Sequence, residues 1–149
     1  MDKKTTSELL NILNNADSKS KLDKYMSEAY MNEFSCFADY FKSLDKYKAR
    51  DKKDIIKKSQ IEQHSANHIL SGVTGLSRDK VLAFCIAAGL DLKETQRGLE
   101  VAKEALLYSR DRRDAVIIFS INKGLDVMQT NELLDEMKLP PINTYSPKN

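Results

Sequence analysis

The segment DKKDIIKKSQIEQHSANHILSG, residues 51–72, decides the fold expected for this chain. Its apolar spacing predicts a helix over 51–58, a turn at 59–61 and a second helix over 62–70. Asp51 is suited to cap the first helix. The residues that would pack the two helices together are apolar or small: Ile55, Ile56, Ile61, Ala66, Ile69 and Leu70. This order of elements predicts a helix-turn-helix inside an all-α domain.

The second helix of this pair carries side chains suited to base edges. A helix-turn-helix inserts its second helix into the major groove, while the first lies across the phosphate backbone. Asn and Gln can pair with adenine, and His and Ser can also hydrogen-bond. The predicted base-reading residues are Gln63, His64, Ser65, Asn67 and His68. Predicted phosphate contacts are Lys52, Lys53, Lys57 and Lys58, with Arg78 and Lys80 after the loop. Double-stranded DNA is the first predicted partner.

A protein partner is the alternative, because a helix-turn-helix scaffold does not fix function. The same surface would then serve a phage-type inhibitor or a signalling adaptor. The charge distribution bears on this choice. Residues 36–90 carry ten Lys/Arg and six Asp/Glu, although the whole chain has a net charge of only +2. A local basic excess suits a phosphate backbone, and a solvated helix face has the same composition.

The composition favours helices, since 31% of residues are charged and the chain has only five Gly and three Pro. The polar start and an apolar run confined to 81–90 indicate a soluble, cytoplasmic protein without a membrane partner. Helices are predicted at about 7–15, 19–31 and 33–47, before the central pair. The third has an aromatic and aliphatic stripe that we expect to form core: Phe34, Phe37, Tyr40, Phe41, Leu44 and Tyr47.

A repeat with an offset of 35 residues follows. RDKVLAFCIAAGLDLKETQRGLE (78–100) and RDAVIIFSINKGLDVMQTNELLD (113–135) align without a gap. Each copy predicts a helical hairpin, the first from helices 78–88 and 92–104, the second from 112–123 and 127–137. The expected turn residues are Gly89 and Gly124 in left-handed conformation, with capping boxes at Asp91/Glu94 and Asp126/Gln129.

The expected organisation has four parts. They are an N-terminal helical segment (1–33), a helix-turn-helix domain that includes the first hairpin (34–106), the second hairpin (107–139) and a tail (140–149). Pro140 and Pro141 end the last helix, and the tail after them is predicted to be disordered.

No enzyme signature is present, since the chain lacks a phosphate-binding glycine loop, Cys-x-x-Cys, His-Glu-x-x-His and a nucleophile elbow. We therefore predict no catalytic residues, no cofactor and no metal. His64 and His68 share a helix face and could form half a metal site, but no further ligands stand at a recognised spacing. Cys36 and Cys85 could be a metal or redox pair, and we prefer two buried structural thiols.

Residues 57–72, KKSQIEQHSANHILSG, resemble the core of the Cro/repressor-type (XRE-like) helix-turn-helix family. The phrases SRDKVLAF…GLDLKETQRGLE and RDRRDAVIIF…GL…NELLDEMKLPP are similar to a Firmicute subgroup with a C-terminal helical-hairpin extension. The resemblance implies a compact, often dimeric DNA-binding domain that acts at operators in transcription regulation. It also implies that Gln60, where the family usually has Gly, must adopt that backbone geometry or reshape the turn.

Overall fold

The computed structural model describes residues 6–15, 18–22, 34–72 and 76–145, and the fold within them is all-α, as predicted. The helices are α1 (Thr6–Asn14), α2 (Phe37–Ser43), α3 (Asp45–Lys48), α4 (Lys52–Ser59), α5 (Gln63–Leu70), α6 (Arg78–Ala87), α7 (Leu92–Val101), α8 (Arg112–Lys123) and α9 (Val127–Glu136). The chain divides into two compact units, Met1–Phe34 and Ser35–Asn149. In the described ranges, no helix is both long and apolar enough to cross a membrane.

One predicted helix before the central pair differs from the structure. The continuous helix predicted over 33–47 is wrong, because Leu44 has an extended backbone (ψ 139°) and separates α2 from α3. The Ser43 hydroxyl donates to the Tyr40 carbonyl at 2.6 Å and so competes with the next helical hydrogen bond. Of the helix predicted over 19–31, residues 19–22 are helical and 23–31 lie outside the described residues.

The core of the second unit is aromatic where α2 packs against α6. The ring centroids of Phe41 and Phe84 lie 5.6 Å apart, and both side chains are fully buried. Cys85 is buried beside them, and burial raises the pKa of its thiol. Cys36 is half-buried, and neither cysteine is in a disulfide. The aromatic stripe is thus core at Phe37, Tyr40 and Phe41, and Cys85 is a buried thiol as predicted.

The repeat forms two hairpins, α6–α7 and α8–α9, whose turns match the sequence prediction. Gly89 and Gly124 have φ of +72° and +71°. The Asp91 side chain accepts from the Glu94 N–H at 2.8 Å, while the Glu94 carboxylate accepts from the Asp91 N–H at 3.0 Å. Asp126 and Gln129 form the same reciprocal pair. These caps fix where α7 and α9 begin.

An Arg–Asp exchange joins the two hairpins. The Arg78 guanidinium donates to both carboxylate oxygens of Asp114, at 3.1 and 2.9 Å. Its counterpart Arg113 donates to both oxygens of Asp79, at 3.2 and 3.0 Å. The arginine of each copy thus pairs with the aspartate of the other copy, so the two hairpins are related by an approximate two-fold axis. We call these four residues the Arg–Asp clamp.

The prediction of a disordered tail after Pro141 is wrong for residues 142–145. Arg113 also donates to the carbonyls of Pro140 and Pro141, at 2.9 and 2.8 Å. The Ile142 N–H donates to the Asn131 side chain at 2.7 Å, and the Ile142 side chain is buried. The segment is ordered because it repeats contacts of the equivalent segment in the first copy. There, Arg78 donates to the carbonyls of Ala105 and Leu106.

Candidate nucleic-acid interface

Helices α4 and α5 are joined by a three-residue turn that local interactions define. The Asp51 side chain caps α4 by accepting from the Lys53 N–H at 3.1 Å, as predicted. The buried Ser59 hydroxyl donates to the Ile56 carbonyl at 2.6 Å and accepts from the Ile61 N–H at 3.1 Å. Gln60 adopts the left-handed conformation, with φ +64° and ψ 10°. The turn therefore has a left-handed residue at the position where glycine was expected, although that residue is a glutamine.

Gln60→Gly is expected to stabilise the protein by about 0.5–1 kcal/mol. A non-glycine residue pays a steric penalty at positive φ, and the gain is partly offset by the extra freedom of glycine in the unfolded chain. Urea unfolding followed by circular dichroism measures the change. Gly124→Ala is the matched control, because a Cβ there would meet no atom within 4 Å. Its only cost is the steric penalty of a non-glycine residue at a φ of +71°. It should destabilise by about 1 kcal/mol, and a Gln60→Gly variant less stable than wild type would contradict the account.

An open groove with a volume of about 1290 Å³ runs along the α4–α5 pair. Seven of the predicted site residues line it: Lys52, Lys53, Lys57, Gln63, His64, Ser65 and Asn67. Lys58 and His68 are exposed on the same two helices but do not line the groove. The structure therefore brings three of the six predicted phosphate contacts and four of the five predicted base-reading residues onto one surface.

The charge on this surface is concentrated in α4. Among the described residues, Lys52, Lys53, Lys57 and Lys58 are exposed and form no ion pair. Two other basic side chains of the same sequence segment contact neighbouring residues of the chain. Lys46 bonds Glu94 at 2.5 Å, and Arg50 packs over Gly89. The basic surface therefore contains fewer residues than the ten Lys/Arg counted over 36–90, and the α4 lysines are at its centre.

Arg78 was predicted to contact phosphate, but its guanidinium is already hydrogen-bonded within the chain. Four of its five N–H donors are used by Asp114 and by the carbonyls of Ala105 and Leu106. Releasing it would leave the Asp114 carboxylate, 8% exposed, without its cation. Lys80 is half-buried on α6 and does not line the groove, so it is not assigned as a phosphate contact either.

Glu62 places a carboxylate at the start of α5. Its two oxygens accept from the backbone N–H groups of His64 and Ser65, both at 2.9 Å. These hydrogen bonds hold the pKa of Glu62 below its ordinary value of 4.5, so the group is ionised at neutral pH. The N–H groups that a phosphate could have used at this helix end are therefore occupied. Glu62 was predicted to lie inside the helix, and its capping role was missed.

Thr144 and Tyr145 also line the groove, and neither was predicted to belong to the site. They reach it because the preceding residues are tied down: the Asn143 N–H donates to Asp79 at 2.8 Å. Tyr145 is 69% exposed and offers a phenol ring and a hydroxyl beside the α4 lysines. The signal that could have located them is the repeat itself, because the offset of 35 residues continues from Leu107 to Ile142.

His64 and His68 lie side by side on α5, with ring centroids 6.5 Å apart and nearly parallel planes. In the described part of the chain, no group of three or more potential ligand residues that includes them could hold a metal ion. The pair therefore adds polar, aromatic surface at the edge of the groove.

Comparisons with known proteins add no relative whose role could be carried over. No family model, curated protein or solved structure matches the chain. The resemblance to the XRE-like family thus stays a prediction.

Proposed function

We propose that this chain is a sequence-specific double-stranded DNA-binding protein that regulates transcription. In this proposal α5 enters the major groove and the α4 lysines contact phosphates, as in a helix-turn-helix. The observation that supports it most is the shared groove, where Lys52, Lys53 and Lys57 stand beside the polar face of α5. Cation and base-edge donors on one open surface are the two components that specific DNA binding needs.

The two components have different tasks. The lysines neutralise phosphates and give affinity without sequence preference. Gln63 and Asn67 carry amides that can pair bidentately with adenine, and each such pair discriminates by about 1–3 kcal/mol against the wrong base. Since α5 carries neither Arg nor Lys, strong reading of guanine is not expected.

A fluorescence-anisotropy titration of the full chain with DNA flanking its own gene tests the proposal. If four lysines per chain contact phosphates, log K falls against log salt with a slope of roughly −3.5 for each bound chain. Binding should also be tighter than to a scrambled duplex of equal length. The absence of binding at low salt, or a slope near zero, would contradict it.

Glu62→Gln is expected to tighten DNA binding by about two-fold to five-fold at low salt. The change removes a negative charge from the wall of a groove proposed to hold phosphates. The gain should be modest and should shrink as salt is added, because the charge is fully exposed and therefore screened. Asp45→Asn, which removes an exposed carboxylate that lines neither the groove nor any interface proposed for this chain, is the control and should leave affinity unchanged. A weaker Glu62→Gln complex would count against the proposed placement.

A protein partner is the second candidate, and Glu62 is the observation that favours it. A carboxylate at the start of α5 repels phosphate and suits a partner that offers a cation. Under this alternative, the titration shows no salt-dependent DNA binding. A pull-down would instead return one dominant protein, and its capture would be lost with Glu62→Gln.

A further inference from the structure

The approximate two-fold relation between the hairpins reveals a face that a helix covers in the first copy and that is about half exposed in the second. In the first copy, Phe84 is fully buried, and its ring centroid lies 6.4 Å from that of Phe37 on α2. A Cβ at Gly98 would lie 3.2 Å from the same Phe37 ring. Helix α2 therefore lies directly over the surface that Phe84 and Gly98 form.

The equivalent positions of the second copy are Phe119 and Leu133, 35 residues further on. Phe119 is 49% exposed, and Leu133 is half-buried. Phe119 on α8 and Leu133 on α9 therefore occupy the positions that α2 covers in the first copy. Ile118 and Met137 stand at the positions equivalent to Ala83 and Ala102, and Met137 is 45% exposed. We call this apolar surface of Ile118, Phe119, Leu133 and Met137 the Phe119 face.

We propose that the Phe119 face binds a second copy of this chain. The two copies would be related by a two-fold axis parallel to the α8–α9 hairpin, so that α8 of one copy faces α9 of the other. Phe119 would then pack over Leu133 of the second copy, in the way that Phe37 packs over Gly98 within the chain. Helix α2 of the second copy cannot take this place, since Phe37 and Phe41 are buried in its own core.

The charges beside the face fit this pairing. On α8, Arg112 and Lys123 follow the same helical stripe as Phe119 and are exposed. On α9, Glu136 stands one turn from Leu133 and is also exposed, and Asp126 stands at the start of the helix. A parallel two-fold axis sets the basic edge of one copy against the acidic edge of the other, with Arg112 opposite Glu136. Such a face is self-complementary in charge as well as in apolar surface.

Sedimentation equilibrium of the full chain without DNA tests this inference, which does not rest on the proposed DNA binding. Four half-exposed apolar side chains make a small interface, so we expect a dimer with a dissociation constant in the micromolar range. Phe119→Lys should weaken the dimer at least ten-fold and leave the melting temperature of the monomer unchanged. Met128→Lys is the control, because Met128 is 55% exposed on the same hairpin but lies towards Gln60 and Thr144, outside the Phe119 face.

Charge reversal checks the orientation. Arg112→Glu and Glu136→Arg should each weaken the dimer, and the two together should restore it. A wild-type chain that is monomeric at every concentration would overturn the inference. So would a Phe119→Lys variant that dimerises like wild type, a Met128→Lys variant that is weakened equally, or a double charge reversal without recovery.

Discussion

Reversing the charge of Lys53 and Lys57 together is expected to weaken DNA binding by roughly a hundred-fold or more at low salt. The two lysines are four residues apart, so they project from one face of α4, and both line the groove. Each substitution removes a phosphate contact and adds a repulsive carboxylate. The slope of log K against log salt should therefore become shallower by about two. Anisotropy titrations at several salt concentrations measure both quantities.

The matched control is Lys93→Glu with Lys103→Glu. It makes the same change in net charge at two exposed lysines that do not line the groove. A small, uniform loss of affinity is expected from the altered net charge, with the slope nearly unchanged. If both double variants lose affinity equally, the protein has only a diffuse electrostatic attraction to DNA, and the α4 surface has no special part.

Asp114→Asn is expected to destabilise the protein by about 2–3 kcal/mol, the largest effect we expect from a polar substitution. The carboxylate is 8% exposed, and it accepts from Arg78 and from the Tyr108 N–H at 3.0 Å. The amide leaves the Arg78 guanidinium, 22% exposed, without a counter-charge, and breaking a buried pair from one side is strongly destabilising. Chemical unfolding with a two-state analysis measures the loss.

The pH dependence of this variant has a definite sign. Burial alone would raise the pKa of Asp114, but the hydrogen bonds from Arg78 and Tyr108 hold it below its ordinary value of 3.8. The stabilisation is therefore complete above that value and is lost as pH falls through the lower pKa of the folded state. The gap between wild type and Asp114→Asn should narrow below about pH 3.8.

Glu100→Gln provides the comparison, because its ion pair with Arg97 joins side chains that are 38% and 32% exposed. Such a surface pair contributes less than about 1 kcal/mol. Equal losses for Asp114→Asn and Glu100→Gln would show that the Arg–Asp clamp contributes no more than an ordinary surface pair.

Features that depend on near neighbours in the chain could be predicted from the sequence. The capping boxes at Asp91 and Asp126 and the left-handed glycines each need only a few adjacent residues, and all are present in the structure. The sequence left open whether Gln60 would adopt the left-handed conformation or reshape the turn, and the structure shows the left-handed conformation. These local signals were sufficient for the turns of both hairpins and for the starts of α7 and α9, whereas α7 ends at Val101 and not at the predicted residue 104.

Features that depend on distant partners could not be predicted in the same way. From the sequence, Arg78 was predicted to contact phosphate. Only the fold shows that it pairs with Asp114, 36 positions away. The tail carried two prolines and no helix pattern, so nothing local indicated that Arg113 would hold it against the α8–α9 hairpin. Thr144 and Tyr145 were missed for that reason, since they reach the groove only because this segment is held.

Selection of DNA duplexes from a random-sequence pool by the full chain tests the proposed function most directly, because the pool offers every short operator at once. The wild-type chain should enrich one motif. Gln63→Ala with Asn67→Ala should relax that motif at one or two positions and keep salt-dependent binding, since the α4 lysines are intact. A wild-type chain that enriches no motif, or a double variant that enriches the same motif as wild type, would contradict the assignment of α5 as the recognition helix.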